Sequence, residues 1–214
     1  MFRYVFGGAI RVPGVPYVDY LMPGIFVQTV TFGALQTGVG LADDLNKGLI
    51  ERFRSLPMAR SAVLVGRTLA DLLRNVFVVL LMCVIGFLVG WSVHTNVVAV
   101  VAGLGLVLAF AYSLSWIFAT VGLSARDAET AQAASFPVLA PLVFASSAFV
   151  PVRSMPGWLQ AFARNQPVSV VVDAVRALTF GGPTSSVVLK AVAWIVGITA
   201  VCAPIAVARY RRVV

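Results

Sequence analysis

Charged side chains are scarce in this sequence. Eight acidic and 16 basic residues stand among 214, and the four charged types together make up 11%, where a soluble domain carries about 25%. Hydrophobic residues reach 60% and the mean hydropathy is +0.95, more apolar surface than a water-soluble fold of this size can hide. These proportions argue against a soluble enzyme, a disordered chain or a soluble nucleic-acid binder, and place the chain in a bilayer. Histidine is limited to His94, and cysteine to Cys83 and Cys202. A zinc-protease helix needs two histidines one turn apart, so that chemistry is missing. Both cysteines lie inside apolar runs and read as small buried hydrophobes, with no disulfide or metal role. Lysine is limited to Lys47, followed by Gly48, and Lys190, followed by Ala191. Neither fits G-x-x-x-x-G-K-[ST], whose amides and lysine hold nucleotide phosphates, so no cofactor and no ATP site of that kind are expected in this chain. An intramembrane hydrolase would need a serine and a histidine at one depth. Ser113 and Ser115 sit deep in an apolar run, whereas His94 lies near a membrane surface.

What the chain has instead is long apolar runs, and about 20 such residues cross the hydrocarbon core as a helix. Five stretches qualify or nearly qualify: residues 21–41, 75–93, 97–123, 133–150 and 187–208. The fourth is interrupted by Pro137 and Pro141, which a membrane helix tolerates when neighbours or water satisfy the freed carbonyls. His94, Thr95 and Asn96 alone join the second and third, so these form a tight hairpin. The net charge of +8 fits the bias of cytoplasmic loops toward Lys and Arg. With Arg209, Arg211 and Arg212 inside, residues 42–74 and 124–132 are also cytoplasmic, and ten basic residues fall inside against six outside.

Two connections carry more than linkage. In residues 42–60, Leu45, Leu49, Ile50 and Phe53 fall on one helical face, and the acidic residues precede the basic ones, as the dipole of a helix starting there favours. This is either an interfacial helix on the membrane or a docking surface for a cytoplasmic partner. Residues 151–186 hold two short helical patterns, 157–164 and 168–180, divided by Asn165, Gln166 and Pro167. Asp173 and Arg176 are three apart and can pair. A helical hairpin dipping into the outer leaflet is expected, ended by Gly181, Gly182 and Pro183.

These residues resemble the permease subunit of ABC-2-type exporters, particularly the daunorubicin-resistance permeases of actinobacteria. The likeness rests on Pro23-Gly24, on Gly40 through Asp44, on Gly48 through Arg52 to Ser55-Leu56-Pro57, and on Arg60-Ser61, Gly66-Arg67 and Ala70-Asp71. It continues with Gly122 through Arg126, Ala131-Gln132, Pro137 to Pro141, Phe149-Val150-Pro151, Met155-Pro156-Gly157-Trp158-Leu159, and Pro167 to Arg176.

The resemblance implies an all-α, polytopic transmembrane helical bundle, one permease domain over residues 1–214. It would have about five complete spans, a cytoplasmic coupling helix and short extracellular re-entrant helices. The coupling helix would dock on a separate cytoplasmic ATP-binding subunit, which binds the ATP and Mg. Its candidate docking residues are Asp43, Asp44, Leu45, Leu49, Glu51, Arg52, Phe53, Arg54, Leu56 and Pro57. Pro151, Met155, Pro156, Trp158, Asp173 and Arg176 mark the extracellular helices. A second permease chain, identical or different, would face this one in the plasma membrane. The cargo would be a hydrophobic drug, an antibiotic or a lipid; no nucleic acid is implied. Residues 2–10 match only the outer end of the family's first span, with an outer loop to residue 20, so either a longer gene product or a poorly active chain is expected. Competing readings are a permease for glycolipid or polysaccharide precursors, and a membrane scaffold or immunity protein without transport.

Overall fold

The computed structural model describes residues 16–47 and 60–213, with no side-chain description for residues 60–64 and 213. The described residues form α1 (Tyr17–Asn46), α2 (Arg60–Val89), α3 (Val97–Gly122), α4 (Ala128–Phe144), a 3-10 turn (Val152–Ser154), α5 (Gly157–Asn165), α6 (Pro167–Phe180) and α7 (Thr184–Val213). There is no strand among them, as an all-α bundle requires. Four helices, α1, α2, α3 and α7, are long and apolar enough to cross a membrane.

α1 is the central post. Leu21, Met22, Phe26, Val30, Leu35 and Ala42 are all buried, and they point around the helix rather than along one stripe, the pattern of a helix enclosed by others. In its most apolar window 56% of residues are buried within the chain, against 17% for α2 and 11% for α7. α2 turns its small and polar residues inward: Thr68, Asp71, Asn75, Val79 and Cys83 are buried, while Leu69, Leu73, Phe77, Leu80, Val84 and Leu88 are exposed. That inversion of the soluble pattern is stable only where the surroundings are lipid or another apolar surface.

α1 and α3 cross backbone to backbone. A Cβ added at Gly38 would collide with the Phe118 carbonyl, and one at Gly122 with the Gly38 carbonyl. Such close approach is how small residues stabilise helix pairs without a hydrophobic driving force between them. Beside the crossing, Leu41, Trp116, Ala119, Leu123, Ala206 and Tyr210 form a second buried cluster that ties in α7. Ser113 and Ser115 bond back to Phe110 and Tyr112 of their own helix, at 2.8 and 2.7 Å, and so serve the helix itself.

Several boundaries differ from the sequence reading. α1 does not stop at residue 41 but runs to Asn46, because nothing after Gly40 breaks it. α2 stops at Val89, since Gly90 takes φ +94°, a value other residues rarely adopt. The expected fourth span reaches only Phe144 and has 17 residues. There Ser146 Oγ donates to the Val143 carbonyl at 2.6 Å and the Ser147 N–H donates to Ser169 Oγ at 2.9 Å. Side-chain bonds of this kind compete with helix continuation. Its start is earlier than expected, at Ala128, because Asp127 caps it by accepting the Thr130 N–H at 2.6 Å. Those bonds from Thr130 hold the Asp127 carboxyl below its usual range, so the cap is ionised at neutral pH.

The two short helical patterns of the 151–186 segment appear as α5 and α6. α6 opens with Pro167 at its first turn and ends at Gly181, φ +87°. Its residues Val168, Val171, Val172, Ala174 and Val175 are fully buried in the main core shared with α1, α3 and α4. The hairpin's second helix is thus packed inside the bundle.

Candidate functional site

The chain has two polar ends. At one, α1 finishes and α2 begins. Asp43 accepts from Lys47 Nζ at 2.6 Å, and this bond holds the Lys47 ammonium above its usual range. Asp44 pairs with Arg67 across the two helices. Arg67 Nε also approaches Asp71 at 3.8 Å, and Arg74 pairs with Asp71 at 3.0 Å while donating to the Gly33 carbonyl at 3.3 Å. Gly40 lies beneath this cluster: a Cβ there would strike the Arg67 guanidinium.

The candidate docking residues divide accordingly. Asp43, Asp44 and Leu45 are the last turns of α1, not the first turn of a separate helix. The dipole argument for a helix starting at residue 43 is therefore overturned. The two carboxylates sit at a helix C-terminus, where each is unfavourable by roughly 0.3–1 kcal/mol, and Lys47 and Arg67 offset them. Leu45 packs on the chain's own second cluster. Leu49, Glu51, Arg52, Phe53, Arg54, Leu56 and Pro57 lie outside the described residues. What the structure adds is the pairing of the two helices that precede and follow them in sequence, Asp44 of α1 with Arg67 of α2.

The other end holds a buried polar knot. Arg176 on α6, its side chain 11% exposed, donates to the carbonyls of Tyr20 at 3.1 Å, Ser147 at 2.9 Å and Ala148 at 3.2 Å. It pairs with Asp173 at 3.2 Å, as the three-residue spacing predicts. Its guanidinium carbon lies 3.6 Å from the centre of the Tyr20 ring, a cation–π geometry. Ser147 Oγ donates to Asp173 at 3.0 Å, and Tyr20 Oη donates to the Ser147 carbonyl at 3.2 Å. One side chain thus satisfies the carbonyls freed where α4 stops and ties α1, α4 and α6 together. A Cβ at Gly24 would collide with the Ala148 carbonyl, so α1 can approach only because glycine is there. Gln166 completes the α4 end, donating to the Leu142 and Ala145 carbonyls at 3.0 and 3.2 Å.

Sequence reasoning missed Asp19. It is fully buried and accepts from the Ser92 N–H at 2.9 Å and Ser92 Oγ at 2.8 Å. The available signal was its position as a lone carboxylate beside a charge-free apolar run, and Ser92 is 73 residues away. The partner set of Arg176 was equally invisible apart from Asp173. Among the remaining extracellular candidates, Pro151 precedes the 3-10 turn and Pro156 precedes α5. The Met155 carbonyl accepts from Gln160 Nε2 at 2.8 Å. Trp158 is 77% exposed, suited to a membrane interface.

A multi-pass helical membrane protein, with ion pairs joining α1 to α2 and a buried Arg176 knot at the opposite end of α1, is the class that fold and site define. Residues 1–180 match the ABC-2 type transporter family, and the chain belongs to that family. It is 36% identical over 212 residues to the daunorubicin resistance ABC transporter permease protein DrrB1 of Streptomyces coeruleorubidus, covering 99% of this chain and 75% of that protein. It is 28% identical over 193 residues to the probable doxorubicin resistance ABC transporter permease protein DrrC of Mycobacterium tuberculosis, 90% of this chain and 69% of that one. The putative transport permease ycf38 of Porphyra purpurea is 28% identical over 165 residues, 75% of this chain and 55% of the relative.

Proposed function

We propose that this chain is the membrane-embedded permease of an ATP-driven exporter of hydrophobic drugs or antibiotics. The reading is carried by the likeness to DrrB1, which runs through 99% of this chain and is therefore not confined to generic apolar spans. In this reading the chain supplies the pathway and no energy. ATP and Mg are bound by a separate cytoplasmic subunit, and a second permease chain completes the pathway. The two lysines fit this division, since neither sits in a phosphate-binding loop.

The same reading puts the plasma membrane around the bundle and the Asp44 end in the cytoplasm. The basic residues Arg209, Arg211 and Arg212 lie at that end of α7, as cytoplasmic bias toward Lys and Arg favours. A reporter fused after Arg212 is expected to read cytoplasmic, and one inserted at Asn96 external. The opposite pattern would detach the 48–59 segment from any cytosolic partner.

The segment between the two ion-paired helix ends is the coupling element in this proposal. Motion imposed on it by the ATP-binding subunit would pass directly to α1, the most enclosed helix, through Asp44 and Arg67. Phe53→Ala is expected to weaken docking of that subunit by roughly 1–3 kcal/mol, the cost of truncating an aromatic anchor, and Glu51→Ala to remove a partner for a basic residue. The measurement is co-purification of the ATP-binding subunit together with drug efflux and ATP hydrolysis. Normal docking and efflux by both variants would assign coupling elsewhere. Hydrolysis by the permease alone would contradict the division of labour.

A further inference from the structure

A groove between α5 and α7 lies away from both the ion-pair lattice and the Arg176 knot. It is about 310 Å³ in volume and lined by Arg164, Asn165, Val170, Lys190, Ala193 and Trp194. Its two cations come from different helices and converge on one opening. Lys190 makes no ion pair or hydrogen bond among the described residues, while Arg164 spends one donor on Gln160, at 3.0 Å, and keeps the rest of its fork.

The depth of the groove along α7 is set by sequence. Residues 191–208 carry no charge and are bounded by Lys190 and Arg209. At 1.5 Å per residue that run is about 27 Å long, close to the roughly 30 Å of a hydrocarbon core. Lys190 therefore stands at the boundary where headgroup phosphates lie. Trp194, 42% exposed, is one turn deeper, where an indole meets acyl chains and headgroups together. Leu189, Val192 and Val196, on the opposite face of the same helix, are exposed as well, as a span in lipid allows. α5 carries exposed Trp158 and Phe162, as a helix lying along the interface does.

We propose that this groove binds the phosphate of an anionic phospholipid, with Arg164 and Lys190 holding the headgroup and Trp194 flanking the first carbons of an acyl chain. A fork and a point charge on adjacent helices suit a phosphodiester, and the apolar flank selects a lipid over a free anion. The site lies in the leaflet at the Asp19 end, and it stands independently of what the chain exports.

The test uses the full-length chain in detergent micelles, titrated with phosphatidylglycerol or phosphatidylcholine and read by native mass spectrometry. Wild type is expected to retain phosphatidylglycerol preferentially. Because each basic residue near an anionic surface is worth about five-fold in binding, Arg164→Gln with Lys190→Gln together are expected to lower retention by roughly 25-fold. The charge-conserving pair Arg164→Lys with Lys190→Arg is expected to keep most of the preference, which separates loss of charge from loss of fold. Arg153→Gln, an exposed cation outside the groove, is expected to change nothing. Equal retention of the two lipids by wild type would overturn the proposal, as would an unaffected double glutamine variant. Displacement of the lipid by millimolar inorganic phosphate would also overturn it, by making this a free-anion site. So would a double variant that loses self-association while keeping its lipid, which would give the groove to a second copy of the chain.

Discussion

Gly38→Leu is expected to abolish accumulation of the folded protein. At this crossing the α1 and α3 backbones meet directly, and even one added carbon would lie inside contact distance of the Phe118 carbonyl. Backbone cannot rotate aside as a side chain can, so the helices must separate. Overpacking a tight core costs about 1–3 kcal/mol where neighbours can adjust, and this site lacks that freedom. Separation would also strip contacts from Leu41, Trp116 and Tyr210, all buried beside the crossing. Gly105→Leu is the matched control, because nothing lies within 4 Å of a Cβ placed there. The measurement is the monodisperse fraction after solubilisation and its melting temperature. Comparable yield and melting for the two variants would show that the crossing is not a tight contact.

Arg176→Met is expected to destabilise the bundle by roughly 3–5 kcal/mol, since each buried carbonyl left without its donor costs about 1–3 kcal/mol. Methionine conserves much of the volume, so the loss is polar. The Tyr20, Ser147 and Ala148 carbonyls lose a charged donor, and Asp173 loses its cation. Asp173 is about half exposed and can be rehydrated, so Asp173→Asn is expected to cost much less, on the order of 1 kcal/mol. That asymmetry is the diagnostic. It would appear as a larger fall in melting temperature for Arg176→Met than for Asp173→Asn, with faster proteolysis near residues 145–150. Equal effects would mean that Arg176 acts as a simple ion-pair partner and does not hold the end of α4. Arg176→Lys is expected to fall between them, since a single ammonium cannot reach three carbonyls on two segments.

These two sites also show why parts of the architecture escaped the sequence. Arg176 and Asp173 share one helix face, so their pairing follows from helical spacing alone. The Tyr20 carbonyl lies 156 residues from Arg176, and no local pattern links them. Asp43 and Asp44 misled for a related reason. Acid before base along a segment suits a helix starting there, but a continuous α1 with a neighbouring Arg67 suits them equally well. Only the tertiary pairing distinguishes the two.

What the sequence determined by itself is the medium, the all-helical class and most of the punctuation. Transfer from water to hydrocarbon is close to additive over residues, so apolar runs report spans regardless of their neighbours. Gly181, Gly182 and Pro167 mark their breaks through backbone chemistry that is local as well. The tertiary structure alone decided that α1 is the central post, that α6 is internal, and that the fourth apolar run stops at Phe144. Lipid and protein interior are equally apolar, so hydropathy cannot say which face of a span meets which. That choice rests on close approach at Gly24, Gly38 and Gly122 and on buried bonds such as Asp19 to Ser92, and these exist only once distant helices have met.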